Sequence, residues 1–447
     1  MTNEKYGLIG KTLVHSYSKE IHEALGQYQY QLFSLAEDEM PDFINARDFR
    51  GLNVTIPYKK DVIPLCDEVT DLARGIGAVN TLFWKNASGT GASESISQED
   101  KILVGHNTDY EGFLYAASRA GIDFEGKGVL ILGTGGTSLM ARRAAADQNA
   151  AKIYIASRHP ETDPPSGSEL QNAGILSTVS YDQLPEIAAS IDVIVNTTPV
   201  GTFPNNMQQV IRLKDFPSCQ AVIDVIYNPF KTALLLEAEK LGLKYTNGLP
   251  MLVAQATAAA GYFLGTPGAF QKENQRIIKS MKQQMGNIVL IGMPGTGKSL
   301  IGKLLAELTG KTLQDTDAKI EEEAKMTIPE IFEKEGESGF RDRESAICKK
   351  LGKERNLIIA TGGGAILRPE NVDALRQNGT LVHITRSIDK LPTRGRPLSK
   401  NIETLKKMEA QRMPLYKAAA DITFRNNYTC SRKKLRQRVT TYILEKL

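Results

Sequence analysis

Short apolar runs alternate with amphipathic stretches along most of this chain, in the rhythm of strand and helix by turns. The runs at 6–9, 52–56, 128–132, 152–156, 192–195, 221–225, 287–291 and 357–360 are four or five residues long and rich in Val, Ile and Leu. That is the signature of strands buried on both faces. Helical spacing of apolar residues recurs at 19–27, 60–65, 110–120, 139–146 and 299–308, and an alanine-rich helix is expected from 247 onward. Strands separated by helices predict an α/β chain with parallel sheets. Residues 86–101 lack periodicity and read as a surface loop. Residues 266–286 are rich in Gln and Lys, contain a helical stretch near 276–281, and read as a linker. At the end of the chain, Leu435, Val439, Tyr442 and Ile443 fall on one helical face. The basic segment 431–438 is therefore expected to be a terminal helix with a solvated side, not a nucleic-acid patch.

Composition narrows the class without changing it. At 447 residues there is room for about three domains of roughly 150 residues each. With 41% hydrophobic and 24% charged residues the chain is ordinary globular material. A net charge of +4 is too mild at this length to argue for nucleic acid. Cys66, Cys219, Cys348 and Cys430 have no paired spacing, so neither a disulfide framework nor a zinc site is expected. The polar start MTNEKYGLIG does not read as a signal peptide, and the longest apolar stretch, 251–264, is too short to span a bilayer and contains Gln255. A soluble, cytoplasmic protein is the expectation.

The chemistry sits at the ends of the expected strands. GMPGTGKS at 292–299 follows one strand and opens a helix. In that setting glycines let backbone N–H groups wrap a phosphate chain, Lys298 reaches the terminal phosphates and Ser299 holds magnesium; strand and helix together favour this over a mere tight turn. The turn Gly133-Thr134-Gly135-Gly136-Thr137-Ser138 follows the 128–132 strand in the manner of a dinucleotide fingerprint, with Ser138 where a third glycine or alanine is usual. The next strand ends in Ser157-Arg158-His159 with no acidic residue to take ribose hydroxyls, which suits the 2′-phosphate of NADP. Near the N-terminus His15-Ser16-Tyr17-Ser18 offers two hydroxyls to one polar ligand, although Ser18 also reads as a helix N-cap. Pro57 stops the strand of NVTIPYKK and delivers Thr55 and Lys59 to one end. Lys59 with Asp109, from GHNTD, makes a proton-transfer pair beside a polyol. Asp109 also reads as a helix N-cap, and Gln255 as either a core polar group or a substrate contact.

Residues 1–268 resemble shikimate dehydrogenases through HSYS, NVTIPYK, GAVNT, NTD, GTGGTS, SRH, NTTPVG and NGLPMLVAQA, in that order. Residues 287–447 resemble shikimate kinases through GMPGTGKS, Asp315-Thr316-Asp317, Gly339-Phe340-Arg341, Gly362-Gly363-Gly364, Arg396-Pro397-Leu398 and Arg412-Met413-Pro414-Leu415-Tyr416. The resemblance implies an α/β substrate domain at 1–105 and 241–268, a Rossmann NADP-binding domain at 106–240, a linker at 269–286 and a P-loop kinase domain at 287–447. It implies that Ser16, Ser18, Thr55, Asn80, Asp109 and Gln255 bind the cyclohexene carboxylate, with Lys59 and Asp109 catalytic. NADP(H) would lie on Gly133, Gly135, Gly136, Thr137, Ser157, Arg158 and Gly248. ATP would lie on Gly295, Thr296, Gly297, Lys298, Ser299 and Leu300, with Mg2+ on Ser299 and Asp315. Asp317 would orient the attacking hydroxyl, Arg341, Gly363 and Arg412 would hold the acceptor, and Arg396 would come from a lid at 387–400.

Departures from the family pattern include His106 in place of an acidic residue, Lys11 and Lys19 around the serine motif, and Asn247 and Pro250 in the last motif. The implied activities are NADPH-dependent reduction of 3-dehydroshikimate and ATP-dependent 3-phosphorylation of shikimate. A quinate-type dehydrogenase joined to another small-molecule kinase, or a ligand-sensing regulator, are the alternatives. Retention of Lys59, Asp109, Lys298, Asp317 and the arginines favours an enzyme, with small molecules and neither nucleic acid nor membrane as its partners.

Overall fold

The computed structural model describes residues 5–13, 16–86, 101–162, 174–391, 402–427 and 431–447. Its strands fall into three sheets. The first is built from β1 (Tyr6–Gly10), β2 (Tyr30–Ser34), β3 (Gly51–Val54), β4 (Glu68–Val69), β5 (Thr81–Asn86) and β6 (Lys101–His106), in the order β2-β1-β3-β5-β6-β4. Only β5 runs against its neighbours, pairing antiparallel with β3 and β6. The sequence pattern did not distinguish β5 and β6 as strands: in Thr81–Asn86 only Thr81 and Leu82 are buried, and Trp84 and Lys85 interrupt the apolar run. The expected helix at 60–65 is a turn closed by a single 3-10 helix, Ile63–Leu65, with Pro64 in it.

The second sheet holds β7 (Gly128–Leu132), β8 (Lys152–Ser157), β9 (Leu176–Ser180), β10 (Val193–Asn196), β11 (Ala221–Asp224) and β12 (Lys244–Thr246), ordered β12-β11-β10-β7-β8-β9. All of its pairings are parallel. Alternate residues of these strands go to opposite cores. Val129, Ile131, Val193 and Val195 join one apolar cluster, while Leu130, Leu132, Ile194 and Val222 join another. This is why the runs read as continuously apolar. The order reverses between β7 and β10, so the crevice at their carboxyl ends is a natural ligand site. Pairing of β12 with β11 carries this sheet past residue 240, where the sequence reading returned the chain to the substrate domain. The helix Gly248–Phe263 follows.

The third sheet is fully parallel: β13 (Asn287–Ile291), β14 (Thr312–Asp315), β15 (Leu357–Ala360), β16 (Gly379–Thr385) and β17 (Ile422–Arg425), ordered β14-β15-β13-β16-β17. Residues 1–202 and 208–279 form one compact unit, and 203–207 with 280–447 form the other. Much of the expected linker is ordered helix: a 3-10 turn at Gln271–Glu273 leads into Asn274–Met285, whose Ile277, Ile278, Met281 and Met285 are buried. The terminal helix is Arg432–Tyr442. Val439 and Ile443 are fully buried, but Tyr442 is half exposed, so the apolar face is narrower than the spacing suggested. Among the described residues no helix is long and apolar enough to cross a membrane.

Candidate active sites

In the first unit, loops at strand ends converge on a cavity of about 390 Å³. Ser16 lies in the loop after β1, Thr55 directly after β3, Asn80 directly before β5, and Asp109 on the first turn of the helix Asp109–Arg119. With Ser18, Lys59 and Gln255 they all line this one cavity, so every substrate-site residue expected from the sequence is brought together. Lys59 Nζ donates to Asp109 Oδ2 at 2.5 Å, and both side chains are largely buried. The residue before that helix is Thr108, with no side-chain capping bond, so the carboxylate of Asp109 is committed to the lysine and not to an N-cap. Ser18 is likewise no cap: it begins the helix Ser18–Glu23, and its N–H donates to Ser16 Oγ.

Asn80 Oδ1 accepts from the Thr108 N–H at 2.7 Å and from the Thr81 hydroxyl. What Asn80 can offer a ligand is therefore its amide nitrogen. Gln255 donates to Leu252 O and also lines the cavity. His106, the departure from the family pattern, is buried between Thr70 Oγ1 and Glu111 Oε1, each at 2.9 Å, and so braces the turn that carries Asp109. Sequence reasoning missed Asn53 and Tyr227 as lining residues. Asn53 was visible inside the NVTIPYK run, where it accepts from Tyr30 Oη at 2.8 Å. Tyr227, edge-on to Tyr17 at 6.1 Å, had only its place after a strand to mark it.

A second cavity of about 520 Å³ opens at the carboxyl ends of β7, β8 and β10. Gly133, Gly135, Ser157 and Arg158 line it, whereas Thr137 and Gly248 line the substrate cavity. Gly133 has φ 102° and Gly135 is the N-cap of the helix Gly136–Asp147, so the backbone can pass close to a pyrophosphate at a helix N-terminus. Among the described residues its wall carries Arg158, His159 and Tyr181 and no carboxylate. That donor set fits a nucleotide with a 2′-phosphate.

The second unit encloses a cavity of about 500 Å³ over the carboxyl ends of β13, β14 and β15. Gly295, Gly297, Lys298, Ser299, Leu300, Asp315, Asp317, Arg341, Gly363 and Arg412 all line it. Thr296 does not: it is 1% exposed, and its hydroxyl closes the phosphate loop onto Met293 O. Any part it takes in nucleotide binding is through its backbone. Arg396, with most of the expected lid, lies outside the described residues. Lys298 Nζ donates to the carbonyls of Gly292 and Met293, curling the loop round the ammonium. Ser299 Oγ stands 3.2 Å from Asp315 Oδ2, while Asp315 Oδ1 caps the helix Thr316–Ala324. A hydroxyl beside a carboxylate at the mouth of a phosphate loop fits a magnesium ion.

Deeper in, Arg341 Nη1 pairs with Glu344 Oε2 at 2.7 Å, and Arg412 Nη1 donates to Gly363 O at 3.0 Å. Asp317 Oδ1 and Glu344 Oε1 are both buried without a protein partner. Both lie beside Gly362, where a Cβ would stand 2.6 and 2.8 Å from them. Two orphaned acceptors in a cavity await donor groups such as ligand hydroxyls. Burial, reinforced by the negative charges of Asp315 and Glu344, pushes the Asp317 carboxyl up to about 6. Glu344, which sequence reasoning missed, is fully buried one helical turn beyond Arg341; that i, i+3 spacing was its available signal.

The family model described as Shikimate kinase matches residues 294–447, and that described as Shikimate dehydrogenase substrate binding domain matches residues 8–82. A Caldicellulosiruptor bescii shikimate dehydrogenase (NADP(+)) is 35% identical over 268 residues, spanning 57% of this chain and 88% of the relative. Among solved structures, a chorismate mutase/shikimate 5-dehydrogenase fusion protein from Clostridium acetobutylicum is 31% identical, with a TM-score of 0.54 over 63% of this chain and 98% of that one. A Thermus thermophilus shikimate 5-dehydrogenase in complex with NADP(H) and shikimate is 28% identical, with a TM-score of 0.51 over 62% of this chain and 99% of that one.

Proposed function

The chain belongs to the shikimate dehydrogenase family and carries a shikimate kinase domain behind it, a bifunctional shikimate-pathway enzyme, and from that premise we propose that it reduces 3-dehydroshikimate to shikimate and then phosphorylates shikimate at its 3-hydroxyl. The observation that carries this reading is convergence: residues from seven separate stretches of the first 255 line a single cavity around the Lys59–Asp109 pair. When bound, NADPH supplies the hydride, and ATP with magnesium supplies the phosphoryl group.

In the dehydrogenase half, Ser16, Ser18, Thr55, Asn80, Asp109 and Gln255 hold the cyclohexene carboxylate substrate. Lys59 donates the proton to the ketone oxygen, and Asp109 keeps the ammonium aimed at it. General acid catalysis of this kind contributes about 10²- to 10⁴-fold. In the kinase half, Lys298 and the loop backbone hold phosphate oxygens, and Ser299 and Asp315 hold the metal. Asp317 orients the acceptor hydroxyl and takes its proton. Arg341 and Arg412 hold the acceptor carboxylate, as planar guanidinium groups do. Such transfers depend chiefly on positioning and charge neutralisation.

The test is direct. Purified protein given 3-dehydroshikimate and NADPH is followed at the nicotinamide absorbance, then given ATP and magnesium and assayed for ADP and phosphorylated product. Absence of NADPH oxidation sinks the first half of the reading, and absence of shikimate-dependent ADP sinks the second.

A further inference from the structure

Gly363 carries a carbonyl oxygen that receives two side-chain donors from one helix, Ile402–Ala419. Arg412 Nη1 donates to it at 3.0 Å and Tyr416 Oη at 2.6 Å. The two residues are four apart and so share a helix face. A carbonyl has two lone pairs, and here both are filled. We propose that Tyr416 is a positioning residue of the kinase site, holding the 362–364 loop and Arg412 in register for the acceptor carboxylate through this shared oxygen. The inference rests on the reading of this cavity as the kinase's acceptor site.

The surroundings make that bond a fixed point. Tyr416 is 1% exposed, and its ring lies nearly parallel to that of His383, with centroids 4.8 Å apart at 17°. His383 sits on β16 opposite Ile291, the last residue before the phosphate loop. On its other side Gly363 abuts that loop: a Cβ there would stand 2.7 Å from Pro294 Cδ and 3.2 Å from Pro294 N. The peptide is thus clamped between the phosphate loop and the phenol. Because an amide is planar and rigid, fixing the Gly363 carbonyl fixes the whole link to Gly364. Gly364 in turn lies against the other arginine, close enough that a Cβ on it would meet Arg341 Nη1 at 2.0 Å. Tyr416 does not itself line the cavity, yet through one peptide of its wall it reaches both arginines that would hold the acceptor.

A purely structural tyrosine would act through its ring, which phenylalanine keeps. Tyr416→Phe in the full-length chain therefore isolates the hydroxyl. We expect KM for shikimate to rise about fivefold or more, as loss of one well-made hydrogen bond predicts, with KM for ATP and NADPH-dependent activity within about twofold of the parent. A double-mutant cycle with Arg412→Lys should be non-additive in shikimate KM, because both side chains act on one oxygen. An unchanged shikimate KM, an equal rise for ATP, or additive effects overturn the proposal. A parent enzyme with no shikimate-dependent ATP use would instead overturn the kinase reading beneath it, so the two failures are told apart.

Discussion

Buried charge is where single residues decide most in this chain. Asp224, at the end of β11, is wholly buried and accepts from Thr232 Oγ1, Asn196 Nδ2 and the Ile226 N–H. Three donors do not offset the loss of water, and burial pushes its carboxyl up to about 6 from an ordinary value of 3.8. Between those values the folded protein keeps a proton that the unfolded chain has released. Its contribution to stability therefore falls as pH rises from about 4 to about 6 and is flat above, by about 3 kcal/mol in all. Chemical denaturation across that range, followed through Trp84, the chain's one tryptophan, should show this slope in the parent and lose it in Asp224→Asn. Equal slopes would mean that Asp224 titrates normally in the folded protein. The Lys59–Asp109 pair is the opposite arrangement, in which each charge has its partner in contact at 2.5 Å.

At the scale of elements, the acceptor side of the kinase cavity depends on a broken helix. Ile328–Lys353 begins with a capping box, in which the Thr327 N–H donates to Glu330 Oε2 at 2.7 Å, and is interrupted at Gly336, with φ 70° and ψ −174°. That conformation is open in practice only to glycine. Ile328 and Phe332 before the break, and Phe340 and Arg341 after it, all line the cavity. Across the break Arg343 pairs with Glu335 through two bonds of 2.8 Å. Gly336→Ala meets no atom within 4 Å, so its cost is backbone strain alone, about 1–3 kcal/mol. We expect a lower melting temperature for the kinase unit and a raised KM for shikimate, with dehydrogenase kinetics unchanged. A variant as stable as the parent would show that the helix can straighten there without penalty.

In the two all-parallel sheets β7, β8, β10, β11, β13 and β15 were legible because both faces are apolar, and the site motifs because phosphate loops and strand-end turns are local in sequence. The edge strands β9, β12, β14 and β17, only partly buried, were not singled out, nor was β16. Trp84 and Lys85 hid β5 by breaking that pattern. Tyr416 and Tyr227 were not assigned roles because their parts depend on partners dozens of residues away, whereas Glu344 was passed over despite its i, i+3 spacing to Arg341.

For the whole molecule, the division of labour is the property to test. The chain forms two compact units, each with its own parallel strands, core and cavity lined by residues of that unit alone. Lys59 and Asp109 belong to one, Lys298 and Asp317 to the other. If the chemistry is as divided as the residues are, Lys59→Ala should lower NADPH-dependent turnover by about 10²- to 10⁴-fold, the range of a lost general acid, and leave shikimate-dependent ADP release near the parent value. Lys298→Ala should do the reverse, because its ammonium is enclosed by the phosphate loop and has no counterpart in the first unit. Mixing the two variants supplies the decisive measurement. Together they should convert 3-dehydroshikimate to phosphorylated product, since shikimate released by one can diffuse to the other. Loss of both activities from either substitution in a folded chain would refute independent sites. A mixture that oxidised NADPH and phosphorylated added shikimate, yet made no phosphorylated product from 3-dehydroshikimate, would mean that the intermediate does not leave the chain that made it.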